Sequence, residues 1–306
     1  MQPTPRHPYL YLASGVIAVS FAAIFIKLSS APALVIAAYR LLFASLCLSP
    51  VVLLCHRREL ATIQRRDLGL MLLSGCFLAL HFATWISSFQ YTTVASSTVL
   101  VSSQPLFVVG LSYLLYRETI TRRQALGVAA TIAGSVIIGL ADAAGGSSGA
   151  SLYGDLLALL GAVFAALYFL CGRTVRQRVS VLPYSLGAYA SSALVLLTIC
   201  WLSGTPLAGY PGREYLLLLG LALVCSVIGH SALNWALGWL PTSAVGVSVL
   251  GEPIGATIWA ALLFHEIPTV GQISGGIILL LGILTFLLAP ATPAEPGRPP
   301  ASRETS

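Results

Sequence analysis

Long runs of apolar residues, separated by short polar segments, dominate the hydrophobic pattern of this chain. A helix that crosses the hydrocarbon core of a bilayer needs about 20 predominantly apolar residues. Runs of about this length occur at residues 9–28, 33–55, 68–89, 95–116, 123–141, 152–172, 181–203, 214–238, 243–264 and 270–289. The pattern therefore predicts an all-α integral membrane protein with ten transmembrane helices in a lipid bilayer.

Composition supports a membrane protein and excludes other classes. Only 8% of the 306 residues are charged, whereas 57% are hydrophobic; a soluble domain carries about 25% charged residues. The net charge of +6 does not indicate nucleic-acid binding, because the arginines lie between apolar runs rather than in one basic cluster. The six cysteines include no C-x-x-C pair, so no metal or cofactor is expected.

The positive residues predict the orientation, because Lys and Arg are enriched in cytoplasmic loops. With the N-terminus in the cytoplasm, thirteen arginines fall in cytoplasmic segments and only Arg213 falls in an external loop. Residues 1–8 and the polar, Pro-rich tail 290–306 are then both cytoplasmic, and the tail is expected to be disordered. The short loops are typical of a bacterial inner (plasma) membrane protein.

A shift of 148 residues aligns the two halves of the chain. It pairs Gln104-Pro105 with Glu252-Pro253, Glu118 with Glu266, Thr121 with Thr269, Gln124 with Gln272, Gly127 with Gly275 and Gly134 with Gly282. The halves, 9–141 and 152–289, hold five predicted helices each, so the second begins on the opposite side of the membrane. The sequence therefore predicts two inverted-topology five-helix repeats, an arrangement that places the substrate site at the repeat interface.

Part of this repeat has a structural explanation. Thr121 and Thr269, each followed three residues later by a glutamine, match the capping box that begins a helix. Glu118 and Glu266 precede these starts and would favour the positive helix end, or alternatively take part in gating or substrate contact.

Gly271 and Gly275 form a G-x-x-x-G motif, which allows close helix packing. Packing within one protomer and a homodimer face are both compatible with this motif.

Five short motifs resemble the EamA family of the drug/metabolite transporter superfamily. They are Ile24–Lys27, Ala38–Arg40, His81–Trp85, Gln104-Pro105 and Leu250–Pro253. The resemblance covers about residues 9–289. It implies a secondary transporter of small organic solutes, often an exporter of amino acids or related metabolites, with a central cavity built mainly by the first, third, fourth, sixth, eighth and ninth helices.

Glu252 is the most informative candidate site residue. It lies about ten residues into the ninth predicted helix, where a carboxylate costs about 3 kcal/mol. Pro253 follows and is expected to kink the helix. Gln104 and Pro105 are their counterparts in the fourth helix. Glu252 would bind a cation or proton, or alternatively hold helices together as a protonated acid.

Two basic residues lie within predicted helices. Arg40 would either extend outward to the membrane surface or hold a substrate carboxylate. The same alternatives apply to Lys27, near the outer end of the first helix.

Two pairs of polar residues lie four positions apart on one helix face. They are His81 with Trp85 and His230 with Asn234. Each pair would line a cavity or make ordinary interhelical hydrogen bonds, and Trp85 would also suit an interfacial aromatic belt.

The leading functional hypothesis is a secondary active transporter that exports amino-acid-like metabolites, with Glu252 facing the amine and Arg40 or Lys27 the carboxylate. Efflux of amphipathic cations or drugs is the alternative within transport. The chain has no Walker A motif and no G-x-S-x-G with triad partners, so it is not expected to be an enzyme.

Two hypotheses from other classes remain. An intramembrane enzyme would gather His81, His230 and Glu252 around a metal, but these residues lack local ligand spacing. A scaffold that does not transport would have no need of charges within its helices.

Overall fold

The computed structural model describes residues 8–116, 121–144, 148–230, 232–233 and 248–289, where all regular secondary structure is helical. In chain order the elements are α1 (Pro8–Ser20), α2 (Ala22–Leu28), α3 (Ala33–Cys55), α4 (Arg57–Leu60), α5 (Arg65–Ser88), α6 (Val94–Val101), α7 (Gln104–Tyr116), α8 (Arg122–Ala144), α9 (Ser148–Val175), α10 (Val181–Leu202), α11 (Gly212–Gly220), a π-helical segment (Leu221–Gly229), α12 (Gly251–Phe264) and α13 (Val270–Leu287). The predicted tail 290–306 lies outside these ranges.

The helices occur where the apolar runs predicted them. Eight stretches of the described chain are long and apolar enough to cross a membrane. Two shorter apolar helices, Val94–Val108 and Gly251–Phe264, fall within or beside the fourth and ninth predicted runs. These observations confirm an all-helical protein with membrane-spanning character. The end of the eighth predicted run and the start of the ninth lie outside the described residues.

Several predicted helices are interrupted. The first run breaks at Phe21 between α1 and α2, and the fourth breaks at Ser102 and Ser103 between α6 and α7. Pro105 therefore occupies the second position of α7, where a missing N–H group costs little. Pro253 is likewise the third residue of α12. Pro105 and Pro253 thus stand in first turns rather than in helix interiors.

Helices α8 and α13 pack antiparallel at very short range. A Cβ added to Gly134 would lie 2.6 Å from the carbonyl oxygen of Gly275, and one added to Gly127 would lie 2.7 Å from that of Gly282. Gly271 packs in the same way against Ala141. Only glycine permits such backbone approach. The G-x-x-x-G motif therefore serves packing within the protomer.

Both predicted capping boxes are confirmed. The N–H group of Thr121 donates to Oε1 of Gln124 at 2.8 Å, and the Gln124 N–H group donates back to the Thr121 hydroxyl at 3.2 Å. Thr269 and Gln272 make the same two bonds at the start of α13. Local sequence alone sets these helix starts, because each bond joins residues only three positions apart.

Hydrogen bonds to two buried carboxylates join elements at opposite ends of the bundle. At one end, Arg178 donates two hydrogen bonds to Asp67 in the first turn of α5, from Nη2 at 2.6 Å and from Nε at 3.1 Å. At the other, Glu214 in the first turn of α11 accepts from the hydroxyl of Ser29 at 2.6 Å and from that of Ser30 at 2.9 Å. These contacts fix the loops that hold the helices together.

Candidate functional site

Arg40 lies in α3 and is buried, with only 2% of its surface exposed. Its Nε donates to the hydroxyl of Ser226 at 3.0 Å. The guanidinium carbon lies 4.3 Å from the centre of the Phe82 ring, a distance at which cation–π attraction is favourable. Arg40 therefore points into the protein, and the outward-extending alternative is wrong for this residue.

The partner of Arg40 comes from the π-helical segment. Ser226 and Cys225 lie within it, and Cys225 donates from its thiol to the carbonyl oxygen of Ala18 at 3.2 Å. A π-helical insertion shifts side chains out of the α-helical register and often occurs at functional sites. The local register of this segment is what brings the Ser226 hydroxyl to Arg40.

Aromatic side chains of α5 form one wall of the site. The rings of His81 and Trp85 stack with centroids 5.8 Å apart, which confirms that they share a helix face. Nδ1 of His81 donates to the carbonyl oxygen of Gly161 in α9 at 2.9 Å, so that nitrogen carries the proton. Trp85 is only 4% exposed and does not occupy an interfacial belt.

Glu252, His230 and Tyr189 complete the surroundings of Arg40. Each of these three side chains lies within the range of electrostatic interaction with the Arg40 guanidinium. Glu252 is half-buried in the first turn of α12. The helix fold thus brings a carboxylate and a guanidinium, 212 positions apart in sequence, into one cluster. Asn234, the predicted partner of His230, lies outside the described residues.

Two hydrogen-bond donors in this cluster lack an acceptor. Nη1 of Arg40 and Nε1 of Trp85 are both buried and have no partner among the described residues. The guanidinium carbon lies 6.0 Å from the Trp85 ring. An unsatisfied buried donor costs about 1–3 kcal/mol, and more when it is charged. The two donors together would suit an acceptor such as a carboxylate.

Lys27 and Gln104 occupy other places. Lys27 forms an ion pair with Glu266, which also accepts a hydrogen bond from the N–H group of Val94 at the start of α6. A cavity of about 220 Å³ beside this pair is lined partly by Lys27 and Phe89. Gln104 is the half-buried first residue of α7. Lys27 is therefore engaged by a protein carboxylate rather than by the Arg40 cluster.

Sequence reasoning missed four contributors to this region: Ser226, Phe82, Tyr189, and Glu266 as the partner of Lys27. Phe82 could have been found, because it lies three positions before Trp85 on the same helix. No local signal marks Ser226, because its position depends on the π-helical register. The described residues contain no group of three or more His, Cys, Asp or Glu side chains able to hold a metal ion.

Comparisons with known proteins agree with this architecture. An uncharacterized transporter of Archaeoglobus fulgidus is 27% identical, over 90% of this chain and 95% of its own length. A Salmonella typhimurium protein named a probable amino-acid metabolite efflux pump is 25% identical over 86% of this chain and 88% of its own. A solved crystal structure shares the fold at a TM-score of 0.63 with 16% identity, covering 92% of this chain and 96% of the other.

The family comparison spans nearly the whole chain. The EamA-like transporter family matches residues 7–140 and again residues 152–288. The resemblance that the short motifs carry is thereby confirmed. The chain belongs to the EamA-like transporter family and is a membrane transporter, not an enzyme.

Proposed function

We propose that this protein is a secondary active transporter that exports small zwitterionic metabolites, such as amino acids, by alternating access. The observation that carries the proposal is the pair of unpartnered donors, Nη1 of Arg40 and Nε1 of Trp85. A substrate carboxylate would accept from both, and a charge-assisted bond to a guanidinium is among the stronger hydrogen bonds in proteins.

Glu252 would hold the other end of the substrate. Its carboxylate lies within electrostatic range of Arg40, and it stands in a first turn that follows a helix break at Leu250. Broken helices near the substrate are a recurring feature of secondary transporters. A free ammonium group would neutralise Glu252, so the cluster has one site for each charge of a zwitterion.

Two inverted five-helix repeats, 9–141 and 152–289, would provide the alternating access. Gly127 and Gly134 correspond to Gly275 and Gly282 under the shift of 148 residues, and each contacts the counterpart of the other. Such reciprocal contacts are what a two-fold relation between equivalent helices produces. Ten transmembrane helices would result once Val94–Val108 and Gly251–Phe264 are counted as spans.

The printed name of the Salmonella typhimurium relative, a probable amino-acid metabolite efflux pump, supports the substrate class. Export against a gradient needs a driving force, and the sequence has no nucleotide-binding motif. Gradients of substrate or of a coupled ion would therefore supply the energy.

The test is counterflow of labelled amino acids in proteoliposomes. We compare wild-type protein with Arg40→Gln and Glu252→Gln, and use Arg58→Gln, an exposed arginine outside the cluster, as the matched control. We expect saturable counterflow that both cluster variants lose and the control keeps. Absence of counterflow for every amino acid in the panel, with the protein folded, would refute the proposed substrate class.

Efflux of amphipathic cations is the second candidate. The aromatic wall of Phe82 and Trp85, combined with Glu252, would suit a flat cationic ring. In that case Arg40 would be dispensable or even repulsive. Retained transport of a lipophilic cation by Arg40→Gln, together with no amino-acid counterflow in wild type, would favour this candidate.

Localisation would be the bacterial inner membrane, with the end of the bundle that carries Asp67 and Arg178 in the cytoplasm. Single cysteines in a background that lacks the six native ones test the orientation. We expect Ala208→Cys, but not Ala61→Cys, to react with a membrane-impermeant maleimide on intact cells, since both positions are exposed. The reverse pattern would overturn the orientation. Monomer and homodimer both satisfy the proposal.

A further inference from the structure

A second polar cluster lies away from Arg40, at the end of the bundle that contains the Lys27–Glu266 pair. It consists of Asp142 near the end of α8, Asp155 in α9, Thr92 just before α6 and Gln272 in the first turn of α13. Each is at least 90% buried, with exposed fractions of 7%, 3%, 8% and 7% respectively. Two carboxyl groups so removed from water require charge compensation or protonation.

The bonds of the cluster identify where a proton is needed. The hydroxyl oxygen of Thr92 lies 3.1 Å from Oδ2 of Asp142 and 2.7 Å from Oδ1 of Asp155. A hydroxyl group has one proton to donate, and two ionised carboxylates are acceptors only. Thr92 can donate to one carboxylate, and the contact with the other is a hydrogen bond only if that carboxyl group carries a proton and donates to Thr92.

Gln272 decides which acid is ionised. Its Oε1 accepts from the N–H group of Thr269 in the capping box, so the amide orientation is fixed and Nε2 points into the cluster. Nε2 donates to Oδ1 of Asp142. Nε2 also lies 3.1 Å from the hydroxyl oxygen of Thr93 and 3.2 Å from that of Ser96. Asp142 thus has an amide donor on one oxygen, whereas Oδ2 of Asp155 is buried with no hydrogen-bond partner among the described residues.

No basic side chain compensates the pair within the described part of the chain. The ion pairs found there join other residues and include neither Asp142 nor Asp155. Lys27 and Glu266 lie beyond Thr93 and Val94 and form an ion pair with each other. Tyr91 and Tyr153, which lie one and two positions before Thr92 and Asp155, meet edge to face with ring centroids 4.9 Å apart. Two adjacent carboxylates cannot both ionise without strong repulsion.

We propose that Asp142 and Asp155 form a proton-binding site that holds one proton, on Asp155, when this end of the bundle is closed. The protonated Asp155 donates to Thr92, Thr92 donates to Asp142, and Asp142 also accepts from Gln272. Loss of the proton leaves two anions on one hydroxyl group and drives α8 and α9 apart. Proton release and opening of this end are therefore linked.

A role in coupling follows, and this part rests on the proposed transport function. The site lies at the junction of the two predicted repeats, because Asp142 follows directly on the first, in the last turn of α8, and Asp155 belongs to the first helix of the second. A proton that favours closure at one end would bias the rocking of the repeats. Transport would then respond to a pH gradient across the membrane.

Infrared difference spectroscopy tests the proton site without any substrate. The purified full-length protein carries Glu252→Gln, so that this half-buried acid beside Arg40 does not contribute to the protonated-carboxyl band. We expect a band that is present at neutral pH, is lost at high pH, disappears in Asp155→Asn and survives in Asp67→Asn. Asp67 is the matched control, a buried aspartate that forms an ion pair with Arg178.

Absence of that band at every pH examined would overturn the proposal. Asp142→Asn provides a second variant if Asp155→Asn does not fold; it removes the neighbouring anion that disfavours ionisation of Asp155, so the band should then be lost at lower pH. A further infrared measurement replaces choline with sodium in the buffer at constant pH, to test whether the site binds sodium. Loss of the band on sodium addition would identify a sodium site and would also overturn the proton assignment.

A transport measurement separates the coupling role from the site itself. With the Glu252 side chain intact, we expect a pH gradient to drive amino-acid accumulation in wild type, and Asp155→Asn to lose this dependence while keeping counterflow. Gradient dependence that survives in Asp155→Asn would refute the coupling. Absence of any transport in wild type would refute the proposed function. The infrared measurement would still test the proton site, because it uses no substrate.

Discussion

Lys27, the only lysine of the chain, forms an ion pair with Glu266, which lies 239 positions later in the sequence. The side chains are 25% and 19% exposed, so the ion pair is largely buried but still reaches water. Glu266 also accepts from the N–H group of Val94 and so stabilises the positive end of α6. One carboxylate therefore connects α2, α6 and the loop that leads into α13.

A double-mutant cycle tests this connection. We expect Lys27→Met and Glu266→Gln each to lower the free energy of unfolding, and the double variant to lose less than the sum, with a coupling energy of about 1 kcal/mol. Reversible unfolding in mixed detergent provides the measurement. Strictly additive losses would mean that the two side chains do not stabilise the fold through their mutual contact.

Arg40→Lys separates charge from geometry. The substitution keeps the positive charge but removes the planar group that bonds Ser226, covers Phe82 and presents Nη1. We expect counterflow to be lost nearly as fully as in Arg40→Gln. Transport in Arg40→Lys close to wild type would show that charge alone suffices.

Trp85→Phe removes one N–H group while keeping an aromatic ring. Because Nε1 is the second unpartnered donor, losing a hydrogen bond of about 1.4 kcal/mol should raise KM about tenfold with little change in stability. The stacking of His81 is preserved by the phenyl ring. An unchanged KM would show that Nε1 does not contact the substrate.

Gly134→Ala should be strongly destabilising. Its new methyl group would lie 2.6 Å from the carbonyl oxygen of Gly275 and 2.8 Å from Cβ of Leu279, and overpacking of this kind costs about 1–3 kcal/mol. Gly69→Ala is the control, since nothing lies within 4 Å of the added atom. Thermal unfolding in detergent compares the two. Equal melting temperatures would contradict the close approach of α8 and α13.

Glu59 predicts a pH dependence of stability. The hydroxyl and backbone N–H groups of Ser180, and then His56, hold the pKa of this carboxyl below its usual range. A depressed pKa adds stability above the unfolded-state pKa, and that stability is lost as the pH falls through the folded-state value. We expect Glu59→Gln to lower the melting temperature at neutral pH and to converge with wild type in acid. A constant difference at all pH values would exclude this linkage.

The sequence by itself determined which segments are helical and where several of them begin. The lengths of the apolar runs predicted the bounds of Ala33–Cys55 and Val181–Leu202 to within one residue. The reason is that backbone N–H and C=O groups must be hydrogen-bonded within the helix when they lie in hydrocarbon. The capping boxes at Thr121 and Thr269 were equally readable, since their bonds join residues three positions apart. Candidate polar residues were also evident, because charges within apolar runs are rare.

Only the tertiary structure decided which of these residues meet. In the folded protein Arg40 contacts Ser226 and Phe82, and Lys27 forms an ion pair with Glu266. Asp142 and Asp155, which border the predicted linker between the halves, became one cluster through Thr92. The physical reason is that hydrophobicity sets the length of a membrane helix but barely constrains its rotation or its neighbours. Those depend on close packing, such as that of Gly134 against Gly275, and on side-chain bonds between distant segments.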